Sequence, residues 1–140
     1  MMHSVSADDR RFCEDFAAGR IDPGAFDHRA HIRLAYAYLA EHDPDTALTL
    51  MRSALLAFIQ HHKIPVAKYH ETLTRAWILA VRHFMAISPA AESAASFIAS
   101  NPGILDSRIM LTHYSTEVLF SPEARERFVE PNLEIGRAHV

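Results

Sequence analysis

A single cysteine, Cys13, leaves the 140-residue chain without an internal disulfide or a cysteine zinc cluster. Glycine is nearly as scarce, at four residues. No Asn-Gly or Asp-Gly pair joins alternating β-branched runs, so the hairpin signals of a sheet are missing. No apolar stretch approaches the about 20 residues of a membrane-spanning helix, and the N-terminal MMHSVSADDRR has no apolar signal core. Basic residues are not in excess either: 14 Lys and Arg against 17 Asp and Glu give a net charge of -3. That balance provides no electrostatic footprint for nucleic acid or an anionic membrane. Together these absences predict a soluble protein of the reducing cytoplasm, with neither nucleic acid nor membrane as partner.

What remains is an ordinary globular balance, 49% hydrophobic and 22% charged, sized for one domain with one core. Ten histidines stand out against it. The C-terminal end is set aside first. Ile135 to Val140 is what the codons ATC GGA AGA GCA CAC GTC encode, which matches the start of a common short-read sequencing adapter, and the next adapter codon is a stop. The native reading is therefore expected to run through Leu133 as one helical domain, residues 1–133, with residues 134–140 as read-through. His139 has no claim to function on that reading.

Proline and glycine punctuate the rest into helices. Phe12 and Phe16 give an apolar stripe to a short helix from Asp8 to Ala18, stopped near Gly19. A second helix follows Asp27 as N-cap and runs to about His42. Asp43-Pro44 opens a third, with Leu48, Met51, Leu55 and Phe58 at helical spacing, ending near Lys63 before Pro65. A fourth begins around Tyr69 or His70 and carries Leu73, Trp77, Ala80 and Phe84. Ser88-Pro89 signals a fifth ending at Asn101, Leu105 to His113 allows another, and Ser121-Pro122 starts a short last one. The predicted class is all-α, a compact irregular bundle of five to seven helices.

The strongest cluster is Phe26-Asp27-His28-Arg29-Ala30-His31-Ile32-Arg33. His28 and His31, three apart at a helix start, emerge about one turn apart on one face, a spacing that suits two ligands of one metal. Tyr69-His70-Glu71 opens another long helix, and packing of the two starts would bring the motifs together. A set of His28, His31, His70 and Glu71 would suit zinc, iron or manganese with a position left open for water or dioxygen. The alternative is a metal-free pocket of the same residues with Tyr36 or Tyr69 nearby. There His31 or His70 would serve as acid or base with Glu71 as orienting group, and Arg29 or Arg33 would supply charge to an anionic small molecule. The plain reading stands beside both: a first-turn histidine often only bonds a backbone carbonyl.

Other candidates carry less. His61-His62-Lys63 falls at a helix C-terminus, where titrating groups complement the dipole. His3 and His42 are expected at the surface, and Trp77 and Phe84 in the core. Cys13 beside the Phe12/Phe16 stripe reads as an inert thiol, and Ser115 lacks a nucleophile-elbow context. His113-Tyr114-Ser115 follows an apolar run that turns Tyr114 toward core or pocket.

The stretches Phe26-x-His28-Arg29-x-His31-Ile32-Arg33, Tyr69-His70-Glu71-Thr72 and Ser121-Pro122-Glu123-Ala124-Arg125-x-x-Phe128-Val129-x-Pro131 resemble a family of small uncharacterised bacterial all-helical proteins. The resemblance covers most of Phe26 to Pro131 and brings no activity with it. It implies that His28, His31, Tyr69, His70, Glu71 and Tyr114 line one site. The expected function is a small enzyme acting on a polar or anionic small molecule by histidine acid/base or metal-assisted chemistry. A non-catalytic ligand- or metal-binding protein, or a helical interaction module, is the alternative.

Overall fold

The structure, a computed structural model, describes residues 2–133; the expected read-through and its His139 lie outside the described residues. These form seven α-helices and four short 3-10 helices with no strand, an all-α fold. The helices are α1 (Ala7–Ala17), α2 (His28–Glu41), α3 (Pro44–His61), α4 (Glu71–Ile87), α5 (Ala94–Ser100), α6 (Thr116–Leu119) and α7 (Pro122–Glu126).

Most starts are capped as the sequence predicts. Asp27 accepts from Ala30 N, Asp43 from Thr46 N and Ser121 from Ala124 N, each satisfying an amide that the helix itself leaves unpaired. Ser6 and Asp9 form a reciprocal capping box on α1. At the other end of α1 the chain turns through Gly19 at φ 76°. A Cβ there would lie 2.6 Å from the His61 ring, so both conformation and space require glycine. α3 ends through Lys63, which takes the left-handed φ of 56° without that freedom.

Three expectations are corrected. Ser88-Pro89 does not open α5: the Ser88 hydroxyl donates back to the Phe84 carbonyl at 2.7 Å and closes α4. The start falls at Ser93, because its side chain accepts from Ser96 N while the buried Asp9 carboxylate accepts from Ala94 N at 2.9 Å. The Leu105–His113 stretch forms the tighter 3-10 helices Pro102–Leu105 and Ser107–Thr112 in place of an α-helix. His3 is half-buried, not exposed. Its Nε2 bonds the Met85 carbonyl and its Nδ1 accepts from Ala91 N, strapping the N-terminal segment to the end of α4.

α2, α3 and α4 pack against one another, with α1 across α2 and α3, α5 on α2 and α7 on α4. Phe16 stacks on Phe58, with ring centres 4.7 Å apart, and Tyr36 stacks on Phe97 at 4.8 Å. The two-residue link His42-Asp43 makes α2 and α3 antiparallel neighbours. α3 therefore returns the chain to the end where α2 began, and α4 starts there too. This connectivity sets the histidine-bearing starts of α2 and α4 beside one cleft.

Candidate functional site

The cleft holds about 590 Å³ and opens between the starts of α2 and α4, the last turns of α3 and the Ser107–Thr112 segment. His28, His31, Tyr69 and His70 line it together. Its walls are mainly apolar, with Phe26, Leu55, Phe58, Leu73, Trp77, Met110 and Leu119 among them, while Lys68 and Arg108 stand at its exposed edge.

The four residues differ in what their polar atoms already do. His70 is 7% exposed and is the N-cap of α4: Nδ1 accepts from Leu73 N at 3.1 Å and Nε2 donates to the Leu119 carbonyl at 2.6 Å. This pairing requires the Nε2–H tautomer. Burial holds the ring below the usual histidine pKa, against the Leu119 bond, with Arg125 pushing the same way as burial. Both nitrogens are committed to the fold, so the expectation that His70 works as acid, base or metal ligand gives way to a positioning role. His28 Nε2 bonds the Ile104 carbonyl at 3.0 Å, and its ring stands edge-on to Trp77 with centres 4.7 Å apart. The Tyr69 hydroxyl donates to Glu71 Oε1 at 2.6 Å.

His31 is the exception. Neither of its ring nitrogens has a hydrogen-bond partner among the described residues, and neither is sealed from the cleft. The ring is half-buried by surface, yet dense protein surrounds it, as at the base of a cleft. That burial, then the neighbouring charge of His28, depresses its pKa to about 4, so the imidazole is neutral at physiological pH. Phe26 lies edge-on to it at 6.0 Å, and the His28 ring centre is 6.4 Å away.

The other expected site residues lie elsewhere. Glu71 is bound by Arg52 through both carboxylate oxygens, with Arg52 Nε 2.9 Å from Oε1. Arg52 holds its carboxyl below the usual range against the cost of burial, and the Tyr69 hydroxyl adds to the effect. Glu71 is therefore outside the cleft lining, and its acid/base or ligand role is corrected to that of a brace. Arg29, Arg33 and Tyr36 point away. At ~100° per residue, their mean direction lies about 135° around α2 from that of the histidine pair, on the far side of the helix. Arg29 and Arg33 line a separate polar cleft of about 450 Å³ beside Asp8 and Asp9. Arg33 Nε donates to Asp9 Oδ1 at 3.0 Å while its guanidinium covers Phe12. Tyr36 is buried with its hydroxyl donating to the Ser4 carbonyl. Tyr114 is buried too, and its hydroxyl donates to the Val129 carbonyl at 2.6 Å, fastening the irregular segment that follows α7.

Among the described residues no group of three or more His, Cys, Asp or Glu side chains is placed to hold a metal ion. The expected set of His28, His31, His70 and Glu71 is not brought together: Glu71 lies outside the cleft lining on Arg52, both nitrogens of His70 are paired within the fold, and two histidines do not make a site. No protein family, curated protein or solved structure matches the chain. The site is thus read from its own residues. Among the described residues no helix is long and apolar enough to cross a membrane.

The sequence reading missed Phe26, Phe58, Lys68 and Arg108 as cleft residues, and took Trp77 for core alone. Trp77 is 4% exposed and is both: one side packs in the core, the other closes the cleft behind His28. Lys68 carried the one usable signal, since it sits two residues before His70 in the turn that leads into α4.

Proposed function

We propose that this protein binds a small molecule in the cleft between the starts of α2 and α4, and that His31 is the group that engages it. The observation carrying this reading is the uncommitted, neutral imidazole of His31 in a lining whose other enclosed polar side chains, His28, Tyr69, His70 and Thr74, are paired within the protein. A neutral donor–acceptor open to an otherwise mainly apolar cleft suits a ligand that brings a hydrogen-bonding group to it. The volume lies within the roughly 300–1,000 Å³ typical of small-molecule sites.

Catalysis is the second reading, favoured by the same neutrality: an uncharged imidazole can accept a proton from a bound substrate. A conjugate-acid pKa of about 4 makes it a weak base, however, so binding leads.

The test is a fragment screen by nuclear magnetic resonance on protein with ¹⁵N-labelled histidine, in wild type and His31→Leu. Ligands of the cleft shift the His31 ring nitrogens and lose affinity in the variant. A screen in which no fragment moves the His31 signals overturns the reading.

A further inference from the structure

The cleft reading above leaves the ligand's chemistry open, and the groups around the cleft narrow it. We infer that the cleft takes an aryl carboxylate carrying a hydroxyl at the far end of its ring, with the hydroxyl at His31, the ring among Phe26, Phe58 and Trp77, and the carboxylate beside Lys68.

Each part follows from what its region leaves unsatisfied. At the base, an apolar end would cover His31's two ring nitrogens and strip them of water without replacement. A hydroxyl both donates and accepts, so it serves either tautomer of a neutral imidazole. A carboxylate at that depth would be an ion buried without a cation, because His31 is uncharged there. In the middle, Phe58 and Trp77 are nearly buried yet border the cleft, and Phe26 lines it too, its ring centre 5.4 Å from that of Phe58. Aromatic edges and faces at these positions favour a flat ring over an alkyl chain.

The mouth supplies the charge. Lys68 is exposed and has no carboxylate within ion-pair distance among the described residues. Arg125, which donates to the carbonyl of Ala67 next door, is equally without one. The other charged residues at this edge do not attract an anion: Arg108 is offset by Asp106, which it grips through two nitrogens, and Asp27, capping α2, keeps its negative charge. An anion arriving at the mouth therefore finds positive charge on the Lys68 side alone.

The experiment measures dissociation constants of three probes, para-hydroxyphenylpropionate, phenylpropionate and para-hydroxyphenylpropionamide, for wild type, His31→Leu and the surface variant Lys68→Gln. Loss of the hydroxyl is expected to weaken binding to wild type about tenfold, the size of one hydrogen bond plus the polar group left unpaired, and to make no difference in His31→Leu. Loss of the carboxylate is expected to weaken binding about threefold at low salt, as for an exposed ion pair, with the gap closing in Lys68→Gln. Equal binding of all three probes to wild type overturns the inference, as does a hydroxyl preference that survives in His31→Leu. If none of the probes binds while other fragments shift the His31 signals, this ligand class is wrong and the cleft reading stands. If nothing shifts them, both fall.

Discussion

The starts of α2 and α4 carry nearly the same equipment, a histidine pair on one and a histidine beside a glutamate on the other, at the same end of the bundle. They use it in opposite ways. At α4, His70 caps the helix and reaches across to Leu119, and Glu71 locks Arg52 and Tyr69, so every polar atom works for the fold. At α2 the capping falls to Asp27. His28 keeps one bond, to Ile104, and His31 keeps none among the described residues. The difference comes from which residue occupies the cap: a histidine at the N-cap must turn its ring back onto the amides, while a histidine in the first turn behind an aspartate cap is free to face outward.

The comparison is broken hardest at His70. His70→Ala removes a cap from Leu73 N and leaves the carbonyl of the buried Leu119 unpaired, so we expect a loss of about 2–4 kcal/mol. Urea denaturation checks it, and a loss under about 1 kcal/mol would show that the cap and the cross-link are dispensable.

Glu71→Gln comes next, at about 1–2 kcal/mol, since it keeps the shape of the Arg52 contact and removes the charge from a pair that is partly screened at Arg52. The pH dependence has a definite sign. The folded carboxyl titrates below its unfolded value, so its contribution is present above the usual carboxylate range and is lost as pH falls through the depressed pKa. Stability curves of wild type and Glu71→Gln should therefore converge on acidification. Parallel curves down to strong acid would contradict the pairing.

His28→Ala should cost less, about 1 kcal/mol, because it removes a single hydrogen bond, to the Ile104 carbonyl, and leaves the cap of α2 to Asp27. Its main readout is the Trp77 fluorescence, which should change when the edge-on ring is removed.

Much of the bundle was legible because its signals are local. Asp27, Asp43-Pro44, Ser121-Pro122 and the Phe12/Phe16 stripe each act within a turn of themselves, and the helices begin and end near them. Ser88-Pro89 misled because a serine before a proline can also close a helix, and the real start of α5 is reinforced by Asp9, far away in sequence. The site was legible in part for the same reason. His28, His31, Tyr69 and His70 meet because a two-residue link reverses the chain and α3 returns it, which spacing and loop length carry. That Arg29, Arg33 and Tyr36 face the other way was also available, from 100° per residue. What no local pattern could reveal is commitment. That Leu119 occupies His70, that Arg52 occupies Glu71 and that Val129 occupies Tyr114 are facts of tertiary packing, decided by residues 15 to 49 positions away.

His31→Gln sharpens the comparison with the smallest effect at neutral pH. The ring makes no hydrogen bond within the described protein, so its removal should change stability by no more than about 0.5 kcal/mol at pH 7. Acid tells more. Folded His31 stays neutral down to about pH 4, whereas the unfolded chain takes up a proton at the ordinary histidine value near 6.5. Between those values the unfolded state binds more protons, so this residue lowers stability as pH falls through that window and leaves it unaffected above. Glutamine has no proton to gain, and His31→Gln should hold its stability from pH 7 to pH 5 better than wild type does. Bound ligand that hydrogen-bonds neutral His31 should steepen the wild-type loss, because protonation would then also cost the contact. If wild type and variant lose stability in parallel, His31 is exchanging protons freely with solvent in the folded protein, and the contrast between the two helix starts disappears.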